Sequence, residues 1–138
     1  MCAMGDIQNC KTIRLQVLDG GSRGHLSVGE VSRQIPFDIK RFYTITRLNP
    51  GAVRGRHAHR QLEQVLFCLK GKAEIFLDDG TKSKTVVLDG PDTGLYVPPG
   101  IWHEVRKFED GAILLVLASG IFDESDYIRD YEEFRNPS

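Results

Sequence analysis

Cysteine is scarce in this chain: Cys2, Cys10 and Cys68 form an odd, scattered set with no CxxC pair. Such a set fits a reducing cytosol better than a disulfide framework. Long apolar runs are absent as well, since no stretch approaches the roughly 18 residues of a membrane span. The polar start MCAMGDIQNC has no signal-peptide core, so a cytoplasmic, membrane-free protein is expected. A strong net charge is missing too. The 18 basic and 19 acidic residues leave −1, and there is no basic domain or aromatic platform motif to suit nucleic acid.

One further absence is local. Between Ile39 and Leu62 there is no Asp or Glu, but Lys40, Arg41, Arg47, Arg54, Arg56 and Arg60 all fall there. From Gly120 onward the balance reverses, with six acids against Arg129 and Arg135. A basic, acid-free segment suits an anionic ligand such as a phosphate or diphosphate, whose oxygens match arginine forks. Within it lie His57 and His59. On an extended strand, side chains two apart share a face, so this pair can flank one small substrate.

With 41% hydrophobic and 27% charged residues over 138 positions, the chain fits one soluble domain with its own core. Residues 1–10 read as a flexible tail and 11–138 as the domain. Short β-rich runs alternate with turn residues, as in a sandwich or barrel. The predicted strands are Thr12–Leu18, Ile39–Leu48, Val53–His59, Gln64–Lys70, Ala73–Leu77, Lys84–Leu88, Gly94–Val97, Trp102–Phe108 and Ala112–Ala118. Asp78-Asp79-Gly80 marks a hairpin turn. Only Asp123–Phe134 has helical spacing, with Tyr127, Tyr131 and Phe134 on one stripe. The expected fold class is all-β with a short C-terminal helix.

From Gly51, the sequence resembles the first cupin motif, G(X)5HXH(X)4E(X)6G. His57 and His59 stand at the histidine positions, Gln64 replaces the acid, and Gly71 closes the motif. Pro98-Pro99-Gly100-Ile101-Trp102-His103 fits the start of the second motif, with Lys107 at its Asn position. The resemblance implies a cupin jelly-roll barrel around a pocket. Metal-binding cupins use three His and one Glu. His57, His59 and His103 can still offer three nitrogens, but Gln64 is a neutral amide and Glu63, one residue away, faces the other side of the strand. At this level, metal binding and proton transfer both remain open.

A narrower resemblance reaches most of the chain. Ser22-Arg23-Gly24, IPFDIKRFYTI (Ile35–Ile45), RGRHAHRQLEQVL (Arg54–Leu66), LDDG (Leu77–Gly80), GLYVPPGIWHE (Gly94–Glu104) and LASGIFDESDYIRDYEEF (Leu117–Phe134) resemble the dTDP-4-keto-6-deoxyglucose 3,4-ketoisomerases of the WxcM-like cupins. The family implies an isomerase that uses no metal or other cofactor. Its substrate is a dTDP-linked 4-keto-6-deoxy sugar, and its setting is deoxy-amino-sugar and surface-polysaccharide synthesis. The C3 hydrogen lies α to the ketone, so a base can remove it to give an enediol, and protonation at C4 completes the carbonyl shift. Imidazole, with an ordinary pKa near ~6.5, suits both steps.

By resemblance, His57 moves the carbon proton, His59 shuttles protons between the two oxygens, and Tyr43 steadies the enediolate. Arg41 and Arg54 are expected on the diphosphate, Gln64 and His103 against the substrate, and Arg47 and Arg60 in solvent. Arg23-Gly24 resembles the branch whose product has the galacto configuration at C4, although His25 departs from the small polar residue usual after it. Relatives form dimers with exchanged N-terminal strands, a part that Thr12–Leu18 suits. Two other readings are a metal-dependent cupin enzyme built on His57, His59 and His103, and a non-catalytic sugar-nucleotide binding module.

Overall fold

A computed structural model describes residue 7 and residues 9–137. Strands dominate: β1 (Lys11–Arg14), β2 (Gln16–Asp19), β3 (His25–Val28), β4 (Arg41–Ile45), β5 (Arg54–His59), β6 (Gln64–Asp78), β7 (Ser83–Leu88), β8 (Thr93–Val97), β9 (Trp102–Ala118) and β10 (Tyr127–Ile128), followed by α1 (Tyr131–Arg135). The main antiparallel sheet runs β1-β8-β6-β9-β5-β10, with β4 also on β9 and β7 also on β6, while β2 and β3 form a separate two-stranded sheet. The sheet curls into a half-barrel, so the all-β jelly roll with one short C-terminal helix agrees with the motif spacing.

Two long strands form its spine. β6 and β9 pair from Gln64↔Ala118 to Asp78↔Trp102, with register shifts between Cys68 and Glu74. Each replaces two predicted strands. The turn residues that suggested a break instead bend a continuous strand: Gly71 in β6, and Lys107, Asp110 and Gly111 in β9, have positive φ. Such irregularities sharpen the local twist and let one strand serve both walls of a barrel. Gly71 has no room for a side chain, since a Cβ there would sit 2.2 Å from the Glu109 carbonyl oxygen.

Leu66, Ile75, Leu95, Leu114 and Val116 of the half-barrel belong to one buried apolar cluster. Ile13, Ile35 and Phe37 of the N-terminal segment cover Val65 and Phe67 on the opposite face of β6. Both faces of β6 are thus buried near Gln64, which explains an apolar run there in place of alternation. Of the segment expected as a tail, residues 1–6 and 8 lie outside the described residues, while Ile7 and Cys10 are buried in the core.

Three sequence expectations need correction. Thr12–Leu18 is not one strand but β1 and β2, separated at Leu15, whose amide donates to Asp92 O. His25–Val28, unassigned from sequence, is β3 and pairs with β2. The helix expected over Asp123–Phe134 splits into a single 3-10 turn, Glu124–Asp126, and a short α-helix, Tyr131–Arg135, capped by Asp130, whose carboxylate accepts from the Glu132 amide. Upstream, tertiary pairing overrides helical spacing. Tyr127 and Ile128 pair with His59 and Ala58, and Asp126 accepts from the amides of Gln61 and Leu62. Tyr131 and Phe134 pack on Trp102, but Tyr127 turns to the histidines.

Candidate active site

The half-barrel encloses a cavity of about 440 Å³. On β4 the period-two pattern holds. Arg41, Tyr43 and Ile45 line the cavity, whereas Phe42 points out and is 68% exposed. On β5 simple alternation would set Arg54 and His57 on opposite faces, yet both line the cavity. A bulge between Gly55 and His57, with positive φ at Gly55 and Arg56, inserts the extra residue that brings them together. Gly55 also fits where a Cβ would come 3.0 Å from the His103 carbonyl oxygen. β6 adds Gln64 and β9 adds His103.

Three imidazoles cluster here. Ring centroids are 4.8 Å apart for His57–His59 and 4.7 Å for His57–His103. Each ring is anchored through Nδ1: on the Gly55 carbonyl at 3.0 Å for His57, the Asp126 carboxylate at 3.0 Å for His59, and the Ile101 carbonyl at 3.3 Å for His103. These oxygens can only accept, so Nδ1 carries the proton and Nε2 is left with a lone pair in the neutral ring. Burial, reinforced by the neighbouring His103 and His59, pulls His57 down to about 3, while burial and His59 pull His103 down to about 4. Burial also lowers His59, against the opposing pull of its bond to Asp126. At neutral pH the cluster is therefore a set of uncharged bases.

One nitrogen from each of His57, His59 and His103 lies within 4.8 Å of the others, so a divalent metal would find three ligands. The fourth, anionic ligand is lacking. Gln64 is buried at that position, and its Nε2 donates to the Tyr43 hydroxyl at 3.1 Å. That bond occupies an acceptor site of the Tyr43 oxygen and leaves its proton free for another acceptor. Burial raises Tyr43, which keeps it a neutral donor.

Known proteins place this arrangement. The family model described as FdtA, WxcM-like, C-terminal matches residues 8–138. The chain belongs to this family. It is 47% identical over 114 residues to the TDP-4-oxo-6-deoxy-alpha-D-glucose-3,4-oxoisomerase of Aneurinibacillus thermoaerophilus, covering 83% of this chain and 82% of that one. A mutant of the 3,4-ketoisomerase QdtA from Thermoanaerobacterium thermosaccharolyticum, solved in complex with TDP-4-keto-6-deoxyglucose, superposes with TM-score 0.91 at 40% identity, over 95% and 94% of the two chains. The WlaRB TDP-quinovose 3,4-ketoisomerase of Campylobacter jejuni gives TM-score 0.89 at 43% identity, over 94% and 98%.

In this WxcM-like chain, most residues expected at the site come together. His57, His103, Tyr43, Gln64, Arg41 and Arg54 all line the cavity. His59 does not; it is 3% exposed behind His57, with Nε2 buried and unpartnered among the described residues. Arg23 is exposed in the turn Gly21–Arg23 between β2 and β3, away from the cavity wall. Arg60 pairs with Glu133 at the surface, and Arg47 is exposed.

Sequence reasoning missed Asp126, Tyr127 and Arg129. Tyr127 packs against both His57 and His59, at 4.8 and 4.4 Å, and lines the cavity with Arg129. Arg129 lies 4.1 Å over the Tyr127 ring and is gripped by both carboxylate oxygens of Glu124. The available signal was strand spacing, since Tyr127 and Arg129 are two apart and share a face. Helical periodicity in the acidic stretch around them concealed it.

Proposed function

We propose that this chain is a sugar-nucleotide 3,4-ketoisomerase converting dTDP-4-keto-6-deoxyglucose into the 3-keto-6-deoxyhexose, with galacto configuration at C4. The observation that carries this reading is the His57 ring. It is neutral, held through Nδ1–H by Gly55, and presents its other nitrogen on a cavity wall shared with Tyr43. Nε2 of His57 takes the C3 proton as the C3–H electrons form the C3–C4 double bond and the C4 carbonyl becomes a hydroxyl. Return of a proton to C4 leaves the ketone at C3. Oxidation of one carbon balances reduction of the next, and no redox partner is consumed.

The proton moving from O3 to O4 falls to His59, with Asp126 stabilising the imidazolium it becomes in passing. Because His59 sits behind the cavity wall, edge-on to His57 and against Tyr127, those neighbours complete its path to the sugar oxygens. The Tyr43 hydroxyl, its oxygen already bonded by Gln64, donates to the developing enediolate. Arg41 and Arg54 take the diphosphate, and His103 crowds the sugar ring.

The same reading includes a homodimer with exchanged N-terminal strands in the cytoplasm. In support, the β2–β3 hairpin is a separate sheet bearing exposed Val17, Leu18 and Leu26, and no helix among the described residues is long and apolar enough to cross a membrane. Arg23 lies in the turn of that hairpin, so exchange would carry it toward the partner's cavity, where it would bear on C4 configuration.

The test is turnover of dTDP-4-keto-6-deoxyglucose in D₂O with chelator present, followed by NMR. Expected are deuterium at C4, an axial C4 hydroxyl and full activity without metal. Binding without exchange would favour a non-catalytic module. Loss of activity in chelator, restored by a divalent ion, would favour the metal reading that the three convergent nitrogens allow.

A further inference from the structure

Outside the cavity, α1 is anchored where β6 and β9 pair Asp78 with Trp102. Tyr131, the first residue of α1, sets its ring 5.2 Å from that of Trp102, edge to face, and its hydroxyl donates to the Asp78 carboxylate. Asp78 is only 7% exposed, and its other oxygen accepts from the Gly80 amide at 2.7 Å. A buried carboxylate that loses a donor has little water to replace it, so the Tyr131 hydroxyl is costly to withdraw. α1 is also tied to the end of β5 by Arg60 and Glu133, but both side chains are about half exposed, at 51% and 55%, and such a pair contributes little. The buried bond to Asp78 is the stronger tie.

What this anchor restrains is one wall of the cavity. β10 joins β5 through two residue pairs, Tyr127↔His59 and Ile128↔Ala58, too few to stay closed without support at both ends. Upstream, Asp126 gives that support by accepting from the amides of Gln61 and Leu62. Downstream, Tyr131 gives it. Between the two anchors lie the groups that meet the imidazoles: Asp126 on His59 Nδ1, and Tyr127, whose ring is 4.8 Å from His57 and 4.4 Å from His59. The same anchor backs His103. Trp102 and His103 are consecutive on β9 and face opposite sides, so α1 packs behind the strand whose front carries the third imidazole. We propose that Tyr131, clamped to Asp78 outside the barrel, is a positioning residue for the isomerisation: it holds β10, and with it Asp126 and Tyr127, against the histidines. Tyr131 itself is not on the cavity wall, and the inference rests on the ketoisomerase reading above.

The test uses Tyr131→Phe, which keeps the ring on Trp102 and removes only the hydroxyl. Trp102, the chain's one tryptophan, is 4% exposed and packed against α1, so acrylamide quenching of its fluorescence reports whether the helix stays docked. The variant is expected to raise that quenching severalfold. It should lower kcat for dTDP-4-keto-6-deoxyglucose about tenfold with KM changed less than twofold, a smaller loss than the roughly 10²-fold that a misplacement of about 1 Å can cause. Combined with Asp126→Asn, it should lower kcat no further than Asp126→Asn does alone, because both changes release the same contact on His59. Asp78→Ala, which removes the other end of the bond, should match Tyr131→Phe in both quenching and kcat. Losses that multiply in the Asp126→Asn double variant would overturn the proposal and leave Tyr131 a purely structural residue. So would an unchanged kcat in Tyr131→Phe, a lowered kcat with Trp102 still shielded, a loss carried by KM, or wild-type kcat in Asp78→Ala. Failure of the wild type to turn over the sugar nucleotide would instead overturn the ketoisomerase reading, whereas the quenching contrast needs no turnover.

Discussion

The inner chamber and the outer rim of this cavity are built on opposite principles. Inside, His57, His59, His103, Tyr43 and Gln64 are wholly or largely buried, and each is held by a named partner: two carbonyls, a carboxylate and one amide–hydroxyl bond. Charge is suppressed there, because burial lowers the imidazoles and raises the phenol. At the rim, Arg54, Arg129 and Phe122 are exposed, and ions and rings meet solvent. Groups that exchange protons with carbon benefit from fixed geometry and neutrality, whereas groups that grip a charged, flexible ligand can remain wet. The contrast predicts large effects on kcat from inside and modest effects on KM from outside.

The sharpest break is His57→Asn. Removing the neutral base should lower kcat by about 10³-fold, within the usual range for acid–base groups, and leave dTDP affinity unaltered. Steady-state rates with parallel dTDP titration check it; a matching loss of affinity would make His57 part of the binding rim. Asp126→Asn should cost less, about 10- to 100-fold in kcat with little change in KM, because His59 remains but loses the carboxylate that fixes its tautomer and balances its transient charge. An unchanged kcat would remove His59 from the proton path.

These inner residues also show what the sequence reveals and what it conceals. His57 and His59 were legible from strand spacing, and Gln64 and His103 because they stand at positions of the cupin motifs that the sequence resembles. Arg41 and Tyr43 were expected from the family resemblance, and alternation along β4 sets both on the cavity face. Arg54 is a harder case. It reaches the cavity only through the bulge at Gly55–Arg56, and one added residue reverses every face downstream. Asp126 and Tyr127 were concealed for a different reason. Their local pattern favours an α-helix, but Asp126 ends a single 3-10 turn, Glu124–Asp126, and pairing with β5 makes Tyr127 extended. The continuity of β6 and β9 is another nonlocal outcome, since their glycines read as turns until paired across the bend.

Acid tests the chamber's neutrality as a whole. His57 and His103 sit at about 3 and about 4 in the folded protein, but near ~6.5 once the chain unfolds. The unfolded state therefore binds more protons between those values, so stability is complete above about pH 6.5 and declines as pH falls through that window. By pH 5 the loss should be about 1–2 kcal/mol for each histidine, read from urea midpoints at pH 7.5 and 5.0, with a shallower decline in His57→Asn. The same lowering moves the acid limb of kcat/KM well below pH 6.5. A limb centred at 6.5 would mean that the imidazoles are as wet as the rim.

The smallest effect belongs to the rim arginines, and it separates two kinds of exposed cation. Arg54 lines the cavity, and its side chain makes no hydrogen bond or ion pair among the described residues, so it is available to a diphosphate. Arg129 lines the same cavity but is already paired with Glu124 and stacked on Tyr127. To contribute, it must give up that pair, and an exposed ion pair is worth only about 0–1 kcal/mol in either direction. Arg54→Ala is therefore expected to raise KM severalfold at low salt, less as salt screens it, while Arg129→Ala changes KM less than twofold. Glu124→Gln provides the control. If it lowers KM by freeing Arg129, the pair restrains a substrate-binding arginine. If KM stays unchanged, Arg129 serves to hold the Tyr127 ring against the histidines.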